Sequence, residues 1–434
     1  MKKEDKNSKN TNYFSGGLAE LIPSPTPLTY SFFKKWFVGS SSIGLAMKLL
    51  RMPYQHITLP ILDLVDDELL INLGNEEKTL YEKTIFRYLQ RDDIHKTPIL
   101  QISLKKIVSP ICLLGSLKIL LVQSVWIAYP QDTLKKAKKL LETIPNVQAT
   151  NNIEKISDIL AKDVWPKVIA VGILSEFYQQ LLMKEAREML PKVNQYISNE
   201  IAKKDWFFLS VADQIAVQQG KMSFSDYMHQ YGIRADRDYE LTEPRWHEIP
   251  EIIKKRIIKS SPIPIGENSP FFDKKLNSLI QTVISFQVLR SEAKKKALIH
   301  IDLLRQALLP KNVLSSMKET RKPLQKKTKS LRFLSGKGMS VSQGIVTGIA
   351  KNITNNEMKI PKNTIGIFPN ASPQYSIQFP KCEGIIFLKG GQTSHGSIVA
   401  REFKIPALID SSLEGIKDGT QLVINGSTGE WKIE

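Results

Sequence analysis

Between Thr133 and Thr320 apolar residues recur at three- and four-residue intervals. This spacing predicts helices over Thr133–Ile144, Ile153–Leu160, Val164–Leu190, Val193–Ile201, Val211–Gln219, Phe224–Tyr231, Pro250–Lys259 and, allowing for breaks, Phe272–Gln306. Upstream, Ser31–Phe37 has the same period. The run Ile107–Tyr129 is apolar all round but holds Pro110, Lys118, Gln123 and Ser124, so it reads as a buried helix and a poor membrane span. Toward the C-terminus the pattern changes. Gly384–Leu388 reads as a buried strand, Gly390-Gly391 as a tight turn, and the next residues as a short helix N-capped by Thr393 or Ser394 and ending before Pro406. The expected fold is multidomain: a mainly α-helical N-terminal and middle domain followed by a C-terminal α/β domain.

The boundaries follow from composition. Residues 1–12 are rich in Lys and Asn and lack the apolar core of a secretory signal, so they read as a disordered basic tail. Residues 13–320 form the helical domain. Residues 321–334 are basic, contain Pro323, lack apolar periodicity and read as a linker. Fully extended, that linker spans at most roughly 45 Å, enough to let residues 335–434 move as a separate domain.

With 42% apolar residues in 434, buried cores are expected. The two cysteines, Cys112 and Cys382, suggest neither a disulfide framework nor a metal site, and a reducing cytoplasm is the simplest home. The net charge of +18 permits binding to anionic surfaces. However, the lysine runs at 135–139 and 294–296 read as solvated helix faces, and no nucleic-acid motif appears, so nucleic acid is not an expected partner. His56, His95, His229, His247 and His300 share no ligand spacing.

His395 is different, because the predicted strand, turn and helix place it in a first helical turn. Unpaired N–H groups and the positive end of the helix dipole there disfavour imidazolium and favour a bound phosphoryl group. The hydroxyls of Thr393 and Ser394 add donors. The segment Gly390–Ala407 resembles the phosphohistidine signature of the swivelling domain shared by pyruvate phosphate dikinase, phosphoenolpyruvate synthase and rifampin phosphotransferase. The resemblance opens at Gly338–Gly348 and closes at Asp418-Gly419 and Asn425–Gly429. Two departures stand out: Gly396 where alanine is usual, and Asp410 where glycine is common.

Three further segments resemble rifampin phosphotransferase-like enzymes. Ser15–Tyr30 resembles the stretch that follows their ATP-grasp domain. Tyr231–Pro250, with Gly232, Arg234, Asp238, Glu240, Leu241, Pro244, Arg245, Trp246 and Glu248, resembles a motif whose histidine is here Ile233. Arg290 and Lys294, one turn apart, resemble a pair turned toward the phosphoryl-transfer centre. Arg234 and Arg245 are of a type to hold a carboxylate or phosphate, although internal pairing with Asp236, Asp238 or Glu243 is the plainer account of them.

The resemblance implies a phosphotransferase component. His395, with Thr393 and Ser394, takes a phosphoryl group from a separate ATP-grasp protein that supplies ATP and Mg²⁺. Arg290, Lys294, Arg234 and Arg245 are the candidate phosphate or substrate contacts, and a small-molecule acceptor sits in the helical domain. No tightly bound cofactor, metal or membrane partner is expected of this chain. The alternative is a noncatalytic regulatory or binding protein of the same descent.

Overall fold

The computed structural model describes residues 25–37, 42–52, 110–146, 151–186, 189–258, 272–308, 335–353, 360–371, 378–390 and 395–434, with Tyr375 and the strands at 11–14, 62–65 and 68–75. The expected linker at 321–334, residues 1–10 of the expected tail, and Thr393 and Ser394 lie outside the described residues. The chain forms two compact units, and each draws on separated stretches of sequence. The first takes 1–185, 238–243 and 274–319; the second takes 186–237, 244–273 and 320–434.

In the first unit, β1 (Thr11–Phe14), β2 (Leu62–Val65) and β3 (Glu68–Asn75) form an antiparallel sheet in the order β1-β3-β2. The helical periodicity gave no sign of it. Helix α1 (Pro27–Trp36) begins with Pro27 at its first position, where a missing N–H costs nothing, and with Thr26 as its N-cap. Its Phe33 and Trp36, with the following Phe37, pack on Trp165, which also meets Tyr239. Trp36 Nε1 donates to Ser157 Oγ at 2.8 Å. Full burial of each such ring is worth about 2 kcal/mol or more.

After α2 (Ser42–Leu49) come α3 (Pro110–Ala128), α4 (Pro130–Glu142) and α5 (Ile153–Ile159). A π-helical turn, Leu160–Val164, then joins α5 to α6 (Trp165–Ala186) without interruption. Two helices expected as separate are therefore one rod. The wider turn shifts the 3.6-residue phase there, which is why periodicity breaks the rod in two. The last helix of this unit, here α11 (Lys274–Leu308), runs unbroken for 35 residues. Tyr178 of α6 stacks on Phe286 of α11 at 4.6 Å and donates to the Trp126 carbonyl of α3 at 2.7 Å. Helix α3 corrects one expectation. Ile119, Gln123 and Trp126 are buried, but Leu117 and Leu121 are 52% and 67% exposed, so the helix is one-faced rather than enclosed.

The second unit combines α7 (Leu190–Ala202), α8 (Trp206–Gln218), α9 (Phe224–Tyr231) and α10 (Pro250–Ile258) with an eight-stranded sheet. Asp205 caps α8 by accepting from Phe207 N and Phe208 N, and Ser223 caps α9 by accepting from Asp226 N. The strands are β4 (Ser335–Lys337), β5 (Met339–Ser342), β6 (Ile345–Asn352), β7 (Thr364–Phe368), β8 (Gly384–Phe387), β9 (Ala407–Ile409), β10 (Gln421–Asn425) and β11 (Glu430–Ile433). Their order is β4-β11-β10-β6-β7-β8-β9-β5. Strands β6 to β9 run parallel and the rest antiparallel. The parallel strands β7, β8 and β9 are buried at every position, as strands covered on both faces must be. Ile365, Ile367, Ile386, Leu408, Leu422 and Ile424 build the core on this sheet. The architecture is the expected one, mainly helical with an α/β C-terminal region.

Candidate functional site

The site is built where β7 and β8 end. Beyond β8, Leu388 N donates to Phe368 O and Lys389 O accepts from Ala371 N, so the exits of the two strands run side by side. Gly390 has φ +151°, a conformation that favours glycine, and turns the chain toward α12 (His395–Glu402). Gly396 N donates to Ala371 O at 2.9 Å, which pins the first turn of α12 to the strand β7 exit. His395 is therefore the opening residue of the β8–α12–β9 crossover helix. It stands at the C-terminal edge of the parallel strands, where sheets of this kind bind ligands.

Both departures from the expected motif have structural causes. A Cβ on Gly396 would meet Ala371 Cα at 2.9 Å and its carbonyl oxygen at 3.0 Å, so glycine is what lets α12 approach the strand exit so closely. Asp410 has φ −156°, ordinary extended backbone, so no glycine is required. Its carboxylate accepts from Ser412 N at 2.8 Å and from Trp431 Nε1 at 2.6 Å, fixing the exit of β9 to β11.

The far end of α12 is anchored as firmly. Ile405 N donates to Ala400 O, and Lys404 closes the helix at φ +53°, in the left-handed region. Arg401, 4% exposed, donates from Nε to Ser198 Oγ at 2.9 Å and from Nη1 to Val341 O at 3.2 Å. Neither Arg401 nor Ser198 had been singled out from the sequence; a buried arginine on the histidine's own helix was the only signal.

Elsewhere in the second unit, Arg234 is 3% exposed. Its guanidinium lies over Trp246 at 4.9 Å, Phe207 at 5.1 Å and Trp206 at 6.0 Å, and it donates to Ser210 Oγ and to Phe207 O. Asp236, one of the three acidic residues expected near these arginines, binds Arg256. Arg245 is 0% exposed, and its backbone N donates to Glu248 Oε2 at 2.8 Å.

In the first unit, Glu240 is 1% exposed and accepts from Thr26 N, Thr26 Oγ1, Thr29 Oγ1, Thr242 N and Thr242 Oγ1. Burial pushes its carboxyl up, but hydrogen bonds from Thr29, Thr26 and Thr242 outweigh that and hold it below the ordinary glutamate value. The two sequence motifs around Thr26 and Glu240 are thus one structural knot. Arg290 and Lys294 are half-buried on α11 in this unit, where the Tyr239 hydroxyl donates to Lys294 O at 3.0 Å.

Fold and sequence together define a mixed α/β domain with a histidine at the head of a crossover helix. Residues 360–429 match the family model described as PEP-utilising enzyme, mobile domain. A rifampicin phosphotransferase of Bacillus subtilis (strain 168) is 29% identical over 99 residues, covering 22% of this chain and 11% of that protein. A phosphoenolpyruvate synthase of Aeropyrum pernix is 28% identical over 98 residues, 21% of this chain and 12% of that protein. A phosphoenolpyruvate-protein phosphotransferase of Haloferax volcanii is 27% identical over 79 residues, 17% of this chain and 14% of that protein. Over this stretch the chain is similar to the mobile domain of PEP-utilising enzymes, and the matches span only a small part of each relative. Phosphoryl transfer is the chemistry of that family, which generally uses ATP and Mg²⁺. Among the described residues, no helix is long and apolar enough to cross a membrane, and no group of three or more His, Cys, Asp or Glu could hold a metal ion.

Proposed function

We propose that His395 is a phosphoryl carrier, charged by an ATP-grasp domain on a partner protein and discharged to a small-molecule acceptor held by the helical region. The observation that carries this reading is the placement of His395 as the first residue of α12, at the C-terminal edge of β7 and β8. In the charging step an imidazole nitrogen attacks a phosphorus of the donor, a P–N bond forms and the P–O bond to the nucleotide breaks. In the discharging step an acceptor hydroxyl oxygen attacks the same phosphorus, the P–N bond breaks and the hydroxyl proton ends on the imidazole. Each step needs alignment and charge stabilisation more than covalent help.

Within this reading Thr393 and Ser394 donate to phosphoryl oxygens, and Arg290 and Lys294 offset their charge in the discharging step. Arg234 acts as framework, because its guanidinium is already employed by Trp206, Phe207, Trp246 and Ser210, whereas Arg245, fully buried, stays a candidate phosphate or substrate contact. In this reading ATP and Mg²⁺ bind the partner. The test is incubation with ATP, Mg²⁺ and an ATP-grasp partner, followed by site mapping of acid-labile phosphate. Label on a residue other than His395 refutes the proposal.

A further inference from the structure

Helix α3 has two unlike sides. On one, Ile119, Gln123 and Trp126 are buried, the Trp126 ring meets Phe177 at 5.1 Å and its carbonyl accepts from the Tyr178 hydroxyl. On the other, Leu117, Leu121 and Val125 follow one another at four-residue steps and are 52%, 67% and 43% exposed, so they form one row. Ile127 and Tyr129, both exposed, flank its C-terminal end. Lys118 is the one charge in the 19 residues of this helix. Apolar side chains exposed singly are ordinary, but a contiguous row on a helix whose other side is packed marks a contact surface.

The charge beside the row decides what it meets. Helix α4 begins immediately after Tyr129 and turns Thr133, Leu134, Ala137 and Leu141 inward. Its exposed side carries Lys135, Lys136, Lys138 and Lys139 against Asp132 and Glu142. Lys135 lies about 8 Å along the axis from the start of α4, so the cations begin within a Debye length of the row's end. A second copy would set two chains of net charge +18 against each other. An anionic lipid surface accepts both features, because apolar side chains enter the boundary between headgroups and acyl chains while lysines stay among the headgroups. We propose that α3 and the start of α4 form a peripheral docking surface for an anionic membrane. Leu117 to Tyr129 covers about 18 Å of helix, too short to span a bilayer and suited to lying flat in its surface. No helix among the described residues is long and apolar enough to cross one. The sequence spoke against a membrane partner by marking α3 as a buried helix, and the exposed row changes that. Docking of this kind is independent of the carrier reading of His395.

The test is co-sedimentation of the full chain with vesicles of phosphatidylcholine alone and of phosphatidylcholine mixed with phosphatidylglycerol. Binding is expected to the mixed vesicles, weakly or not at all to the neutral ones, and to fall as salt is added. Leu121→Ser is expected to weaken it at least about tenfold, the loss of one inserted leucine. Replacing Lys135, Lys136, Lys138 and Lys139 by Gln is expected to remove most of the salt dependence. Leu121 is largely exposed, so the variant is expected to keep its melting temperature; should it not, Leu121→Ala replaces it. Absence of binding to the mixed vesicles, or equal binding to both kinds, overturns the proposal. So does binding that Leu121→Ser leaves unmoved, which would assign the attraction to cations alone. A parent chain that light scattering shows as a dimer, and that Leu121→Ser turns into a monomer, would give the row to a second copy and overturn it as well.

Discussion

The loop from Tyr231 to Pro250 and the passage from β8 to α12 both carry residues that sequence alone marks as specified, and the chain uses them in opposite ways. In the loop the charged side chains are the frame: Arg234 and Glu240 are 3% and 1% exposed, the one held by aromatic rings and Ser210, the other by threonine hydroxyls and backbone N–H groups. In the passage the backbone is the frame. Leu388 N, Ala371 N and Gly396 N tie the strand exits and the helix head together through main-chain hydrogen bonds. A motif arginine and a motif histidine are equally conspicuous in sequence. Whether each serves a ligand or the fold is decided by burial and by what its polar atoms already bind.

The comparison breaks most visibly at Glu240. Glu240→Ala strands buried donors of Thr26, Thr29 and Thr242 and is expected to cost about 3 kcal/mol, read by chemical denaturation. The carboxyl is held below its ordinary value, so its contribution is complete above the unfolded value of 4.5 and is lost as pH falls through the lower folded value. Melting temperature is expected to drop on acidification below that range in the parent and to fall less in Glu240→Gln. Identical acid profiles would remove Glu240 from the frame.

Arg234→Ala comes next, at about 2 kcal/mol, through loss of its stacking on Trp246 and Phe207 and its bond to Ser210. Arg234→Lys is expected not to restore it, since an ammonium cannot stack as a guanidinium does. If Arg234→Ala keeps its stability but stops discharge of a phosphorylated His395, the loop is a ligand site and the contrast with α12 disappears. The smallest effect is a gain. Lys404, at φ +53°, sits where glycine is free of strain, so Lys404→Gly is expected to stabilise by about 1 kcal/mol in thermal unfolding.

Much of this was legible in the chain. The apolar run at 384–388, the glycine pair and Pro406 bracket β8 and α12 closely, because buried parallel strands and helix stops leave strong local marks. The structure adds what local marks cannot carry. The π turn at Leu160–Val164 disguises one rod as two helices, and the sheet of β1, β2 and β3 depends on pairing between distant segments. Hydropathy counts apolar residues on α3 without saying which way Leu117 and Leu121 face. The use of Gly396 and Asp410 became clear only from Ala371 and Trp431, which lie 25 and 21 residues away. Arg401 was invisible as a link to Ser198 for the same reason: its partner is 203 residues distant.

The most direct measurement of the central claim is phosphate mapping on the full chain and three variants, after incubation with ATP, Mg²⁺ and an ATP-grasp partner. The parent is expected to gain an acid-labile, base-stable phosphoryl group at His395, because a protonated phosphoramidate nitrogen is a good leaving group. His395→Ala is expected to lose the label while keeping its melting temperature, and Arg290→Ala with Lys294→Ala to keep the label but fail to pass it on. Arg234→Ala, as framework, is expected to label to the same extent per folded molecule. Label that persists in His395→Ala would contradict the account at its centre.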